Sequence, residues 1–351
     1  MRLTAIILAA GQGTRMKSAR PKVLHELAGK PMVAYAVETA TAVTGQPPVL
    51  VIGHGAEQVR ACLGQAARYV VQHQQLGTGH AVLQARDLLL GQADTVLVSY
   101  ADMPLLSEST LRRVVEGYQQ GGGVLSFLTV IAKDPRGFGR VVRDAQGRPV
   151  GVVEEASCTP AQLAIRELNA GVYCFNASWL WENLPRLPLS PKGEYYLTDT
   201  IALAVSQGCE VTAVQTTDEA ELIGINTRVH LAEAEQILRE RINRRWMEAG
   251  VTMLDPATTY IEPTVSIGAD TTILPNTWLR GHTTIGSGCR IGPNTMIEDS
   301  RIGDGCTVIM SLVEDAAVKD GVCIGPFQHV GRHPSTAHSP GPASFPAPKA
   351  D

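Results

Sequence analysis

A six-residue repeat of aliphatic side chains limits what this chain can fold into more than any other feature of its sequence. Seven aliphatic residues stand in perfect register, one at every sixth position: Ile261, Ile267, Ile273, Leu279, Ile285, Ile291 and Ile297. The register then shifts and later resumes, with further aliphatic residues at Ile302, Val308, Val318, Ile324 and Val330. Such a repeat is typical of a triangular coil, in which each repeat forms one short side and its aliphatic residue points into a stacked interior. We therefore expect a solenoid of short parallel strands over residues 251–330.

The first 225 residues follow a different pattern, in which short runs rich in Val, Ile and Leu alternate with helical periodicity. The runs predict strands at 4–10, 48–53, 69–72 and 95–100. The segments between them predict helices at 32–43, 56–67 and 78–90. This alternation is typical of βαβ units in a doubly wound parallel sheet. Between residues 123 and 175 strands follow one another without long helices, which predicts an antiparallel insertion beside that sheet.

One amphipathic helix separates the two patterns. Apolar residues recur at spacings of three and four through residues 231–249, and Gly250 follows directly as a stop signal. The sequence thus predicts four segments: an α/β domain at 1–226, a helical linker at 227–250, a partial repeat domain at 251–330 and a tail at 331–351. The tail carries five prolines and no repeat, so we expect it to be disordered.

Charge and apolar content exclude several classes of protein. Lys+Arg 30 against Asp+Glu 34 gives a net charge of −4, which provides no broad basic field for nucleic acid or for an anionic membrane surface. No apolar run approaches the roughly 18 residues that span a bilayer. The start, MRLTAIILAAG, imitates a signal peptide, but a buried first strand accounts for it better. Seven cysteines without a C-x-x-C pair indicate free thiols, and we expect a cytoplasmic protein.

The segment most specific for function is LAAGQGTRMKSARPK, residues 8–22, directly after the first predicted strand. A glycine-rich turn at the carboxyl end of a buried strand presents backbone N–H groups to phosphate oxygens. We expect the ligand-binding positions of this turn to be Leu8, Ala9, Ala10, Gly11, Gly13 and Thr14. Arg15 and Lys22 add two cations that can hold a polyphosphate, and we expect them to be the catalytic residues.

A structural turn and two well-known nucleotide-binding motifs fit these glycines less well. A strand followed by Gly-x-Gly can be a purely structural turn. A dinucleotide-binding fingerprint would require a third glycine where Met16 stands, and a P-loop would require Gly-Lys-Ser/Thr. The Thr-Arg-Met and Pro-Lys that follow the glycines favour a phosphate site.

With L-x-x-G-x-G-T-R-M followed by Pro21-Lys22, the chain resembles the sugar-1-phosphate nucleotidyltransferases. Within them it is most similar to the bacterial bifunctional uridyltransferase/acetyltransferases, from about residue 4 to Val330. The resemblance implies an α/β, Rossmann-like nucleotide-diphospho-sugar transferase domain followed by a partial left-handed parallel β-helix. It implies transfer of UMP from UTP to N-acetylglucosamine-1-phosphate, with Mg²⁺, to give UDP-N-acetylglucosamine and pyrophosphate for cell-wall synthesis.

Two further segments match that family, and each also has a plainer interpretation. In QHQQLGTGHA, Gln72 would face the edge of uracil, with Gly77 and Thr78 close to the base. Without the resemblance, this is a polar loop before a helix that Thr78 caps. Asp102, just after the strand at 95–100, would hold Mg²⁺ together with Asn226. Alone, Asp102 would be an ordinary turn or capping residue.

A sugar-binding pocket is predicted only by the resemblance to the family. It implies that five residues line the N-acetylglucosamine site: Gly139, Glu154, Asn169, Glu194 and Thr198. Glu154 would accept hydrogen bonds from sugar hydroxyls, and Asn169 would read the acetamido group. Both also fit ordinary surface and turn residues. Ala170 departs from the threonine common in the family.

The expected chemistry is charge neutralisation and positioning. A sugar-1-phosphate is already ionised at neutral pH, so its attack on the α-phosphorus needs no general base. In the family, the solenoid continues and carries the acetyl-CoA site, whereas the match here stops at Val330. We therefore expect the acetyltransferase activity to be lost. The family's homotrimer would also lose part of its contact surface.

Two alternatives stay open. The chain could be another sugar-1-phosphate nucleotidyltransferase, of the ADP-glucose type for example, and Gln72 in its segment favours UTP instead. It could also be a non-catalytic regulatory subunit of the same architecture. The presence of Arg15, Lys22, Asp102 and Asn226 argues for catalysis.

Overall fold

The computed structural model of the chain describes residues 2–135 and 137–331. It divides into two compact units, the first ending at Leu238 and the second beginning at Arg239. The division falls inside a long helix that spans Arg228–Glu248. The segment boundaries predicted at residues 226 and 250 stay predictions. Nearly all of the predicted tail lies outside the described residues. Within the described ranges, no helix is long and apolar enough to cross a membrane.

The first unit is built on a mainly parallel sheet with helices on both faces. Its strands are β1 (Leu3–Ala9), β2 (Glu26–Leu27), β3 (Lys30–Pro31), β4 (Val49–Ile52), β5 (Arg68–Val71), β6 (Thr95–Tyr100), β7 (Leu125–Ile131), β8 (Arg140–Arg143), β9 (Pro149–Val153), β10 (Glu167–Asn176) and β11 (Val211–Thr216). Its helices are α1 (Met32–Thr44), α2 (Ala56–Leu63), α3 (Thr78–Leu83), α4 (Arg86–Leu89), α5 (Glu108–Gly121), α6 (Pro160–Leu163), α7 (Ala177–Asn183) and α8 (Asp199–Ser206). The helix α9 (Arg228–Glu248) follows.

The strand order is β11-β7-β10-β6-β1-β4-β5, with β8 and β9 attached beside β10. β1 runs parallel to both neighbours, β4 and β6. Its side chains alternate between two apolar clusters, since Ile7 belongs to one cluster and Ile6 and Leu8 belong to the other. The strand is therefore buried on both faces, as its continuous apolar run predicted. This confirms the Rossmann-like fold of the first unit.

The antiparallel strands predicted between residues 123 and 175 are built around β10, which lies within the main sheet. β10 runs antiparallel to β6 and β7, and β8 and β9 form a hairpin beside it. β11 pairs in parallel with β7. β10 and the hairpin carry the segments around Gly139, Glu154 and Asn169 to one end of the sheet.

The predicted helix at 78–90 is two short helices, α3 and α4. The side-chain amide of Gln84 donates to the carbonyl of His80 at 3.0 Å, an acceptor that the backbone N–H of Gln84 would use in a continuing helix. That N–H donates to Ala81 instead. Competition by a side-chain amide therefore ends α3 early.

The second unit is a solenoid of three parallel sheets. Its strands are β12 (Thr252–Met253), β13 (Thr259–Ile261), β14 (Ser266–Ile267), β15 (Thr272–Ile273), β16 (Thr277–Arg280), β17 (Thr284–Ile285), β18 (Arg290–Ile291), β19 (Thr295–Glu298), β20 (Arg301–Ile302), β21 (Thr307–Val308), β22 (Leu312–Glu314), β23 (Ala317–Val318), β24 (Cys323–Ile324) and β25 (His329–Gly331). Strands three apart in this series pair, so each sheet forms one side of the coil. The arrangement confirms the partial left-handed β-helix of hexapeptide repeats.

The repeat residues fill the interior of the solenoid, and the number of residues in a coil changes along the chain. Each of the seven residues in perfect register is buried, with exposures between 0% and 8%. Leu279 pairs with Ile297 eighteen residues later, whereas Ile297 pairs with Val313 only sixteen residues later. Val313 is fully buried and belongs to the interior series, although the sequence pattern missed it. The reason is that it stands five residues from each neighbouring repeat position, Val308 and Val318, instead of six.

Candidate active site

The glycine-rich loop follows β1 and is shaped by one glycine. Gly13 has a φ of +64°, a conformation that favours glycine. A Cβ atom there would lie 2.5 Å from Cβ of Lys22. Gly11 meets nothing within 4 Å and leaves its surface open. Gly13 therefore allows Lys22 to pack on the loop, while Gly11 leaves room for a ligand.

Lys22 lies at the centre of a polar cluster at the carboxyl end of the sheet. Its Nζ is 2.5 Å from Oδ2 of Asp102 and 3.1 Å from Oδ1 of Asn226. The side chains of Lys22 and Asp102 are 11% and 21% exposed. Asp102 follows β6, and Asn226 precedes α9. Parallel strands bring such positions to the edge at which doubly wound sheets bind ligands.

This cluster also supplies a donor set that fits a hard divalent cation. One carboxylate and one amide oxygen both point at a single positive group, the ammonium of Lys22. Oxygen ligands of this kind suit Mg²⁺, which usually takes few protein ligands and completes its shell with water and substrate phosphate. Among the described residues, no group of three or more His, Cys, Asp or Glu could hold a metal alone. The site therefore fits a cation that takes its remaining ligands from water and substrate phosphate.

Two adjoining cavities open around Asp102. The first, the loop cavity, has a volume of about 320 Å³. It brings together predicted residues from the glycine-rich segment and from later loops: Leu8, Ala9, Ala10, Gly11, Lys22, Gln72, Gly77, Thr78, Asp102 and Glu194. The second, the strand cavity, has a volume of about 380 Å³. It brings together Arg15, Thr78, Asp102, Gly139, Glu154, Asn169, Thr198 and Asn226.

Three predicted residues are placed differently from the rest. Gly13 and Thr14 line neither of these two cavities. Glu194, expected beside the sugar, lines the loop cavity instead. Gly13 acts through the packing of Lys22 described above.

In the loop cavity, the Gln72 side chain is fixed in place. Gln72 is 5% exposed. Its Nε2 donates to the carbonyl of Gly77 at 3.1 Å and lies 3.0 Å from Nδ1 of His80. His80 thus helps to orient this amide. These two contacts engage both hydrogens of Nε2, so Oε1 remains to accept a hydrogen bond from a donor on a base edge, in an orientation that the protein has fixed.

The loop at residues 72–79 is tied to the loop at 190–198. The N–H of Tyr195 donates to the carbonyl of Leu76, and the N–H of Leu197 donates to Oγ1 of Thr78 at 2.9 Å. Gly77, with a φ of +98°, has no space for a Cβ because the Tyr195 backbone would lie only 2.6 Å from it. Thr78 is the first residue of α3, and Gly77 is the N-cap of that helix. The Thr78 hydroxyl connects the two loops instead of capping the helix.

In the strand cavity, three of the predicted sugar residues are held in place by hydrogen bonds within the protein. Thr198 Oγ1 donates to Oε1 of Glu154 at 3.0 Å. The Asn169 side chain donates to the hydroxyl of Tyr173 at 2.7 Å and accepts from the N–H of Gly171 at 3.2 Å. The second carboxylate oxygen of Glu154, Oε2, can accept a hydrogen bond from a ligand. Asn169 is 6% exposed and its orientation is set by the protein.

Tyr100, which the sequence patterns did not single out, lines both cavities. Burial, followed by the carboxylates of Glu154 and Asp102, raises the pKa of Tyr100 well above its usual range. The phenol therefore stays neutral and can donate a hydrogen bond. A signal for it was present, because Tyr100 ends the same strand whose end pointed to Asp102.

Fold and crevice together define the first unit as a nucleotidyltransferase, and comparison with known proteins agrees. A MobA-like NTP transferase domain matches residues 5–171. The bifunctional protein GlmU of Heliobacterium modesticaldum is 46% identical over 328 residues, which cover 93% of this chain and 72% of that protein. GlmU of Halalkalibacterium halodurans is 43% identical over 327 residues, with the same coverage of both chains. This chain belongs to the GlmU family of bifunctional proteins.

The family confirms the expected enzyme class and activity, a nucleotidyltransferase acting as UDP-N-acetylglucosamine pyrophosphorylase. No finding favours the regulatory-subunit or ADP-glucose alternatives. The family depends on a divalent metal and acts on nucleotide and sugar-phosphate substrates. The matched segment covers 72% of the Heliobacterium protein, so the rest of that protein has no aligned counterpart. Oligomeric state stays a prediction.

Proposed function

We propose that the loop cavity binds UTP, that the strand cavity binds N-acetylglucosamine-1-phosphate, and that UMP is transferred between them beside Asp102. The observation that carries this proposal is the position of the Lys22–Asp102 pair, since both cavities share Asp102. The reacting phosphates of two substrates bound in adjoining cavities would meet there.

Each part of the loop cavity has a role with UTP. The open backbone at Gly11 approaches the phosphates, and Lys22 supplies positive charge next to them. Gln72, fixed by Gly77 and His80, reads the uracil edge. In the strand cavity, Glu154 accepts from sugar hydroxyls, and Asn169 and Gly139 face the N-acetyl end.

Asp102 and Asn226 would hold Mg²⁺. When bound, the ion would neutralise the negative charge of the phosphates and draw them together. Lys22, now paired with both ligands, would then be free to turn its ammonium toward the phosphates. Arg15, which lines the strand cavity, would hold a phosphate from the other side.

The bond changes follow from this placement. A phosphate oxygen of the sugar phosphate attacks the α-phosphorus of UTP, a new P–O bond forms, and the bond to the β-phosphate oxygen breaks. Pyrophosphate leaves with the electron pair. No proton has to move, so the cluster of Lys22, Asp102 and Asn226 needs no acid–base pair. The protein's contribution is positioning and charge stabilisation.

A pyrophosphate-release assay with four nucleoside triphosphates and several sugar phosphates tests the proposal. UTP with N-acetylglucosamine-1-phosphate should give the highest kcat/KM. Gln72→Leu should raise the KM for UTP by about tenfold and reduce discrimination against other bases. Gln46→Leu is the matched control, because Gln46 is exposed and its side chain bonds the distant Leu3 carbonyl. A different preferred substrate pair would refute the assignment.

A further inference from the structure

Arg140, a charged side chain of the first unit, is buried and has no role in the chemistry proposed for the two cavities. Arg140, on β8, is 2% exposed and is among the largest fully buried side chains in the described residues. A buried guanidinium costs free energy unless its partners compensate, and its carboxylate partner, Glu155, is 41% exposed. Packing alone would be served better by an apolar residue, so the charge must do something that packing does not require.

The hydrogen bonds of Arg140 hold two segments of the strand cavity. One terminal nitrogen donates to the carbonyl of Phe138, which lies between Gly137 and Gly139. The other donates to Oε2 of Glu155 at 2.9 Å, the residue next to Glu154. Gly137, Phe138, Gly139 and Glu154 all line the strand cavity.

The backbone of Arg140 passes through the same part of the sheet. Arg140 pairs with Val153 on β9 and with Leu168 on β10, the residues immediately before Glu154 and Asn169. The carbonyl of Gly139 accepts from the N–H of Asn169 at 2.9 Å. A Cβ on Gly139 would lie 2.6 Å from a methyl carbon of Val152, so this row of the sheet is closely packed. Gly139, Glu154 and Asn169, the predicted sugar residues, therefore each lie next to Arg140 or next to a residue that pairs with it.

We propose that Arg140 is a positioning residue for the sugar phosphate: it fixes the loop at 137–139 against the segment at 154–155 and thereby sets the spacing of Gly139, Glu154 and Asn169. The inference rests on the proposed function of the strand cavity. The guanidinium bonds Phe138 and Glu155 through two different terminal nitrogens held in one plane. A lysine keeps the charge but has a single nitrogen, so it cannot reproduce this spacing between its two partners.

Arg140→Lys tests this role. The KM for N-acetylglucosamine-1-phosphate should rise about tenfold, while the KM for UTP changes less than about threefold. Arg143→Lys is the matched control: Arg143 lies on the same strand and pairs with Glu167 at 2.6 Å, but it does not line the strand cavity. Both of its KM values should match those of the unmodified enzyme.

Glu155→Gln provides a second test, because Glu155 is partly exposed and its replacement leaves an acceptor in place. It should raise the sugar-phosphate KM by a smaller factor in the same direction. If Arg140→Lys does not fold, Glu155→Gln decides alone. Unchanged sugar-phosphate KM values in folded variants, or equal shifts in both KM values, overturn the inference.

The proposed function fails separately. That failure would appear in the unmodified enzyme as preference for another substrate pair. The two KM values of the Arg140→Lys enzyme would then be measured with the preferred sugar phosphate and nucleotide, and the same outcomes would apply.

Discussion

Gly13 and Lys22 are in direct contact across the glycine-rich loop, so close that a Cβ on Gly13 would lie 2.5 Å from Cβ of Lys22. Gly13→Ala should therefore push Lys22 away from Asp102 and Asn226. Because the lysine side chain is needed beside the phosphates, kcat/KM should fall at least about tenfold. Steady-state kinetics with both substrates measures the loss.

Gly45→Ala separates this contact from backbone strain. Gly45 has a φ of +70°, close to the +64° of Gly13, but a Cβ there meets nothing within 4 Å. Both variants should lose roughly 1–2 kcal/mol of stability, because alanine is strained in this region. Only Gly13→Ala should lose activity. Equal activity in the two variants would contradict the role of the contact.

Asp102→Asn should weaken the binding of the divalent cation at the candidate active site. The asparagine keeps an oxygen at the site but removes the charge that faces Lys22 and a divalent cation. We expect kcat to fall by about 10²–10³, a size typical for loss of an electrostatic group. The Mg²⁺ concentration for half-maximal activity should rise. A titration of activity against Mg²⁺ measures both effects.

The control for that variant is Asp94→Asn. Asp94 stands just before β6, the strand that Asp102 follows, and pairs with Arg2 at 2.8 Å on the surface. Its replacement should leave the Mg²⁺ dependence unchanged. If Asp102→Asn also kept the dependence of the unmodified enzyme, the cation site would have to be sought elsewhere.

Asp199 makes stability depend on pH. Burial, followed by the nearby carboxylate of Glu154, raises the pKa of Asp199 above its usual value. The folded state therefore favours the protonated carboxyl of Asp199 over the carboxylate. The contribution of this group to stability is complete below the unfolded pKa of about 3.9 and is lost as pH rises through the folded pKa. Asp199→Asn is neutral throughout, so its Tm should exceed that of the unmodified protein at pH 7 but not at pH 3.

Asp87→Asn is the matched control, since the Asp87 side chain is 97% exposed. The difference in Tm between Asp87→Asn and the unmodified protein should be the same at pH 3 and at pH 7, as measured by thermal unfolding. A Tm gain for Asp199→Asn at pH 3 as large as at pH 7 would show that titration is not the cause.

Alanine substitutions at two neighbouring residues of the solenoid should differ greatly in their cost to stability, because only one of the two side chains fills the interior. Ile297 on β19 is fully buried, and Ile297→Ala should cost about 2–5 kcal/mol of unfolding free energy in this unit. Met296 on the same strand is only partly buried, so Met296→Ala should cost roughly 1 kcal/mol or less. Denaturant unfolding measures both, and similar costs would contradict the assigned interior.

Local sequence patterns were enough to predict the main architecture. The apolar run of β1, the glycines after it and Asp102 after β6 each identify their place in a doubly wound sheet. The six-residue spacing likewise identifies the solenoid. These features depend on residues close together in the chain, where periodicity is informative.

Contacts between distant segments were harder to predict. Asn226 reaches Lys22 across 204 positions, a pairing that no local pattern contains. The burial of Arg140 depends on three strands meeting at one residue. Val313 was missed because a fixed period cannot follow coils whose length changes. In each case, tertiary packing decides what spacing alone leaves open.

The changing coil length has a consequence for how this part of the chain tolerates insertions and deletions. Neighbouring coils stay in hydrogen-bonded register although pairing steps range from eighteen residues at Ile261–Leu279 to sixteen at Ile297–Val313 and seventeen at Val313–Val330. A residue gained or lost is thus absorbed at a corner, and the stacked strands on either side keep their alignment. Single-residue insertions and deletions at corners should accumulate here more readily than in the crossing strands of the first unit.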